Sequence, residues 1–120
     1  MGFNVPNFFD NISLNMNSVS RPFQLTDAVL YSLSMQFNGS TCLFNSKLQG
    51  SSDPYNNAKN FVPPNWDDIK DSSIDFGAEG SFTYNVYLIG YNWVRLIITD
   101  SSGATNTGTL SATLNVKGPL

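Results

Sequence analysis

The chain has 120 residues, 41% of them hydrophobic, which suits one domain with one modest core and excludes a disordered chain. Only 12% are charged, against a usual share of roughly 25%, and the net charge of −3 comes with no basic run, so clustered Lys/Arg for a nucleic-acid backbone are missing. There is no His and a single Cys, Cys42, which excludes hydroxyl–imidazole and Cys–His catalysis and any internal disulfide.

Residues 1–11 are rich in Asn, Phe and Pro and show no period. Phe3, Phe8 and Phe9 are costly to leave in water, so the segment either folds back over its own core or reaches a neighbouring subunit. The second reading makes 1–11 an N-terminal arm before a single domain over 12–118, with these Phe as candidate interface residues. Met1 to Pro6 has neither a basic n-region nor an apolar h-region, and the myristoylation pattern fails. No apolar run approaches the ~20 residues of a membrane helix, so no membrane span is expected.

Ile12 to Asn17 alternates apolar and polar residues and reads as the first strand. Residues 28–37 form the longest alternating strand, with Val29, Tyr31, Leu33, Met35 and Phe37 on one face. Asn38-Gly39 follows, the signature of a type I′ hairpin turn, and predicts that 29–37 pairs with 41–49. Cys42 in the second of these strands reads as a small buried hydrophobe. Gly50 to Asn65 is a long polar loop, a length that usually goes with function or mobility. Its aromatics Tyr55 and Phe61 are candidates for contacting a partner.

Trp66 and Ile69 mark a short strand, Ser73 to Phe76 another, and Gly77 to Gly80 a turn. Phe82, Tyr84 and Val86 alternate with Thr83, Asn85 and Tyr87. Trp93 to Thr99 is apolar on both faces around Arg95 and should be a central strand; Arg95 there needs an acid or carbonyls as partner. Asp100 to Gly108 is a loop, and Leu110, Ala112, Leu114 and Val116 alternate in the last strand. Trp66 and Trp93 are expected in the core. Seven to eight short strands with turns at this spacing predict an all-β antiparallel sandwich, jelly-roll-like or immunoglobulin-like.

Little here points to catalysis. Asp67, Asp68, Asp71, Asp75 and Glu79 fit no calcium-loop pattern and read as solvated turn residues. Paired carboxylates acting on a glycosidic bond are a weaker alternative. Gly77-Ala78-Glu79-Gly80 lacks the Lys and helix of a phosphate loop. No catalytic residue, cofactor or metal ligand is therefore expected.

An ordered series runs through the chain: Leu48-Gln49-Gly50-Ser51-Ser52-Asp53, Asn65-Trp66-Asp67-Asp68-Ile69, Gly90-Tyr91-Asn92-Trp93-Val94-Arg95 and a closing Lys117-Gly118. It resembles a pattern of small β-sandwich structural proteins of bacteriophages, over roughly residues 28–118. The insert Tyr55 to Pro64 is longer than in simpler members, and Tyr91 is placed to tie a sandwich corner. The resemblance implies a non-enzymatic virion component, made in the host cytoplasm: a minor capsid, vertex, decoration or tail protein. Its partners would be copies of itself and other virion proteins. The alternative is a carbohydrate- or receptor-binding module of a spike or fibre, with a host receptor or glycan as partner.

Overall fold

The computed structural model describes residues 7–25, 31–39, 42–86, 90–100 and 108–116. Among these it contains ten strands and no helix: β1 (Asn7–Ser13), β2 (Ser18–Val19), β3 (Phe23–Gln24), β4 (Tyr31–Asn38), β5 (Phe44–Ser51), β6 (Asp67–Asp68), β7 (Ile74–Phe76), β8 (Gly80–Val86), β9 (Trp93–Asp100) and β10 (Thr109–Val116). One sheet has the order β1-β10-β4-β8; in the other, β9 and β5 are central neighbours. Short pieces β2 and β3 both pair with β9, and β6 and β7 both pair with β5, all antiparallel.

Each couple of short pieces fills one strand position, so ten strands occupy eight positions, the upper end of the expected range. Numbered along the chain, those positions run 1-8-3-6 in one sheet and 2-7-4-5 in the other. That is the strand order of a jelly roll, which decides between the two sandwich types expected.

The alternating strands behave as their pattern dictates. Leu33, Met35 and Phe37 of β4, Leu110, Ala112 and Leu114 of β10, Phe44 and Leu48 of β5, and Val94, Leu96 and Ile98 of β9 are buried between the sheets. Phe37, Phe44, Phe76 and Phe82 form a ring cluster across the sandwich, with centroids 4.9 to 5.4 Å apart.

Two expectations change. The Asn38-Gly39 turn does not make a hairpin: β4 pairs with β10 and β8, while β5 lies in the opposite sheet against β9. Gly39 does use its conformational freedom, at φ 137°, but the chain there crosses from sheet to sheet. Phe37 and Phe44, on either side of the crossing, meet edge to face at 5.3 Å through the core. Each strand is paired over most of its length with distant segments instead, β4 with β10 on one edge and β8 on the other, and β5 with β9.

The first strand also begins at Asn7, inside the expected arm, and ends at Ser13. Phe8 and Phe9 are both buried in the core cluster, so for 7–11 the fold-back reading replaces the arm. Consecutive strand residues normally face opposite ways. Here the β1–β10 register shifts between Asn7 and Phe9 and again before Ile12, and Asn11 takes a positive φ of 54°. Such bulges turn both rings inward and destroy the period by which the strand would have been recognised. Phe3 lies outside the described residues, as do Val29 and most of the 100–108 loop.

Candidate functional site

A groove of about 550 Å³ lies on the outer side of the β9–β5 sheet, between the long loop after β5 and the β2–β3 edge. Its shape follows from how loop and edge are tied down.

The loop is closed at its base. The Asp53 carboxylate accepts hydrogen bonds from the Asn65 backbone N–H (3.0 Å) and side-chain amide (2.9 Å), clamping a twelve-residue separation. Those bonds, led by the side-chain one, hold the Asp53 carboxyl below its ordinary pKa. Asn92 donates to the carbonyls of Ser52 (3.3 Å) and Asp53 (3.0 Å), and the Trp93 indole N–H donates to the Asp53 carbonyl (3.2 Å). Farther out, the Asn56 side chain accepts from the Ala58 N–H (2.7 Å), and the Asn56 N–H donates to Gln24 Oε1 (3.3 Å) across the groove. The long polar loop is thus a folded lasso.

The opposite wall is a break in the edge strand. Between β2 and β3 the backbone leaves β9, and buried Ser20 fills the gap: its hydroxyl accepts from the Leu96 N–H (2.8 Å) and donates to the Arg21 carbonyl (3.0 Å). Arg21 and Pro22 are thereby set into the groove lining.

The floor holds Trp93 and Arg95. Trp93 is buried, as expected, and Phe61 of the loop packs on it at 5.5 Å. Trp66 departs from expectation: it is half-buried and lies over the Arg95 guanidinium, 4.2 Å from charge to ring centroid. Its indole N–H donates to the Pro63 carbonyl at 2.6 Å. Arg95 Nε donates to Gln49 Oε1 at 2.8 Å, so its partner is a side-chain carbonyl and a π-face rather than an acid. Burial lowers its pKa. Gln49 Nε2 in turn donates to Asp68 (2.9 Å), which pairs with Lys47 at 3.2 Å.

Of the sequence-derived candidates, Phe61 lines the groove, and Tyr55 stands 52% exposed on the lasso without lining it. Phe8 and Phe9 belong to the core. Arg21, Gln24 and the lasso amides were not anticipated. Arg21-Pro22 carried only the signal of a connection, and nothing in its spacing shows that the loop folds toward it. The acidic residues of 67–79 are spread over turns and pairings; among the described residues no three His, Cys, Asp or Glu form a metal-holding group. Cys42 is fully buried, as expected, and burial first, then nearby Glu79, pushes its thiol pKa up.

Fold and groove define the chain as an antiparallel jelly-roll sandwich with a loop-walled cleft. No family model, curated protein or solved structure matches it.

Proposed function

We propose that the chain is a non-enzymatic structural subunit of a virion, acting through contacts with copies of itself and with other virion proteins. The supporting observation is the outer face of β10, β4 and β8. Its register rows read Asn115–Ser32–Asn85, Thr113–Ser34–Thr83 and Ser111–Gln36–Ser81, without one charged side chain. Its groups bond one another within and between rows: Thr83 Oγ1 donates to Ser34 Oγ (3.3 Å), and Asn115 Nδ2 of the next row donates to the same Ser34 Oγ (3.1 Å).

Free proteins usually cover such a face with charges. Desolvating Lys or Glu is expensive, whereas hydroxyls and amides are covered at little cost if they exchange water for protein partners. A neutral face also meets its own copy without repulsion. Three strands of about eight residues span roughly 400 Å², half of the ~800 Å² each partner gives to a standard interface. One pairing would then be weak, and repetition in an assembly would supply the stability. Jelly rolls build viral capsid and lectin domains, though fold alone does not set function. The ordered Leu48-to-Gly118 series adds the phage resemblance.

The test is sedimentation across a concentration series, with assay of purified particles for the chain. Self-association or particle incorporation is expected, and Gln36→Lys with Thr83→Lys, both on exposed positions, should abolish it while leaving the melting curve unchanged. A monomer at the highest concentration, together with absence from particles, overturns the proposal.

A further inference from the structure

We infer that the groove beside the lasso is a binding site for a carboxylate-bearing saccharide. This rests on the second reading, a glycan- or receptor-binding module, and is independent of the assembly face. The volume of about 550 Å³ lies within the ~300–1,000 Å³ of small-ligand sites.

Charge is the first argument. The chain has nine acidic and six basic residues, yet two of the six, Arg21 and Arg95, line the groove, and among the described residues no acid does. Among the described residues neither guanidinium is in an ion pair; Lys47–Asp68 is the pair present. Arg95 is held by Trp66 and Gln49, so its orientation is set before any ligand arrives. A fixed, partly desolvated guanidinium fork lacking an anion is shaped for a carboxylate.

The remaining lining selects the carrier of that carboxylate. Gln24, Asn56, Asn57 and Asn60 ring the groove. Side-chain amides both donate and accept, which matches sugar hydroxyls, groups that do the same. Phe61, half-buried against Trp93, and Val62, 55% exposed, supply apolar surface for the C–H face of a pyranose ring. The Asp53–Asn65 clamp has already ordered the lasso, which lowers the entropy lost on binding. An extended acidic peptide would instead want a long unpaired strand edge. The β2–β3 edge offers only two two-residue pieces interrupted by the Ser20 bulge.

The experiment is titration of the full chain with sialyllactose, with lactose as the neutral control and an acidic hexapeptide as competitor, read by NMR shifts of groove residues. Sialyllactose should perturb the Phe61, Asn56 and Trp93 signals, and lactose should bind at least roughly tenfold more weakly. Arg21→Gln, at an exposed position, should weaken sialyllactose at least severalfold without changing the melt. Arg95→Lys, which keeps charge but loses the fork, should do the same if it folds. Equal binding of both sugars in the groove overturns the carboxylate assignment but keeps the module reading. Sugar binding elsewhere, insensitive to Arg21→Gln, overturns the site alone. Binding of the peptide and neither sugar overturns the saccharide. No binding of any probe overturns site and module together.

Discussion

Replacing Gly50 by alanine should destabilise the fold through a single neighbour. Gly50 sits near the end of β5 on the inward-facing side, opposite Val94 of β9. A Cβ built there would collide with Cγ, Cδ1 and Cε1 of Tyr91, whose ring lies flat over the glycine and closes that end of the core. The ring cannot move alone. Next to it, the Asn92 N–H donates to the Ser51 carbonyl at 2.7 Å, and the Asn92 carbonyl accepts from the Leu25 N–H at 2.8 Å. Displacing Tyr91 therefore loosens the entry to β9 and the base of the lasso. Overpacking of this kind costs about 1–3 kcal/mol, and the backbone ties favour the upper end. At about 2.1 cal/mol/K per residue, 120 residues give roughly 250 cal/mol/K, so 3 kcal/mol lowers Tm by about 12 °C. Urea unfolding followed by tryptophan fluorescence measures it, since Trp93 is buried. Tyr91→Ala should itself cost about 2 kcal/mol as loss of a half-buried ring. In that background Gly50→Ala should be neutral or slightly stabilising, because the obstacle is gone and alanine has less entropy to lose. An equal cost of Gly50→Ala in both backgrounds would refute the reasoning.

Four further outcomes are expected. Ser46→Ala should stabilise the fold by about 1 kcal/mol in the same urea assay, because Ser46 Oγ is buried with no partner among the described residues. Tyr84, whose hydroxyl is buried without a described partner, is pushed up to about 12 from its ordinary 10.0 by desolvation. The folded state then binds more protons than the unfolded one between these values, so stability falls as pH rises from 10 to 12, and Tyr84→Phe should flatten that fall in alkaline melts. Asp53, held below its ordinary 3.8 by Asn65, contributes stability that is present above that value and lost as pH falls through its folded pKa. Carbon-detected titration should find its midpoint below that of Asp53 in an Asn65→Ala variant. Cys42 should resist a thiol reagent in native buffer and react at once in urea, since its thiol is buried and its pKa raised.

Alternation along β4, β8 and β10 was enough to place those strands and assign their faces, because a period of two needs only the side-chain sequence and the geometry of an extended chain, and the run apolar on both faces around Arg95 made β9 central. Residue type placed Cys42 and Trp93 in buried positions, and misplaced Trp66, which is half-buried. Alternation could not see β1, whose bulges turn Phe8 and Phe9 to one side. Nor could it choose the partner of β4. Asn38-Gly39 promised a local hairpin, but pairing is a competition among all strands, and β4 is taken on both edges by β10 and β8 while β5 joins β9 in the other sheet. The groove was legible only in fragments: Phe61 and the polar loop as a place to look, and Arg95 as a charge in need of a partner. What brought them beside Arg21 and Gln24 was the folding of the lasso onto a broken edge strand, by contacts such as Asn56 to Gln24 across 32 residues. Local pattern thus determined which segments are strands and which faces are apolar. Sheet assignment, the burial of the N-terminal phenylalanines and the composition of the cleft depend on contacts between distant segments, which no local period encodes.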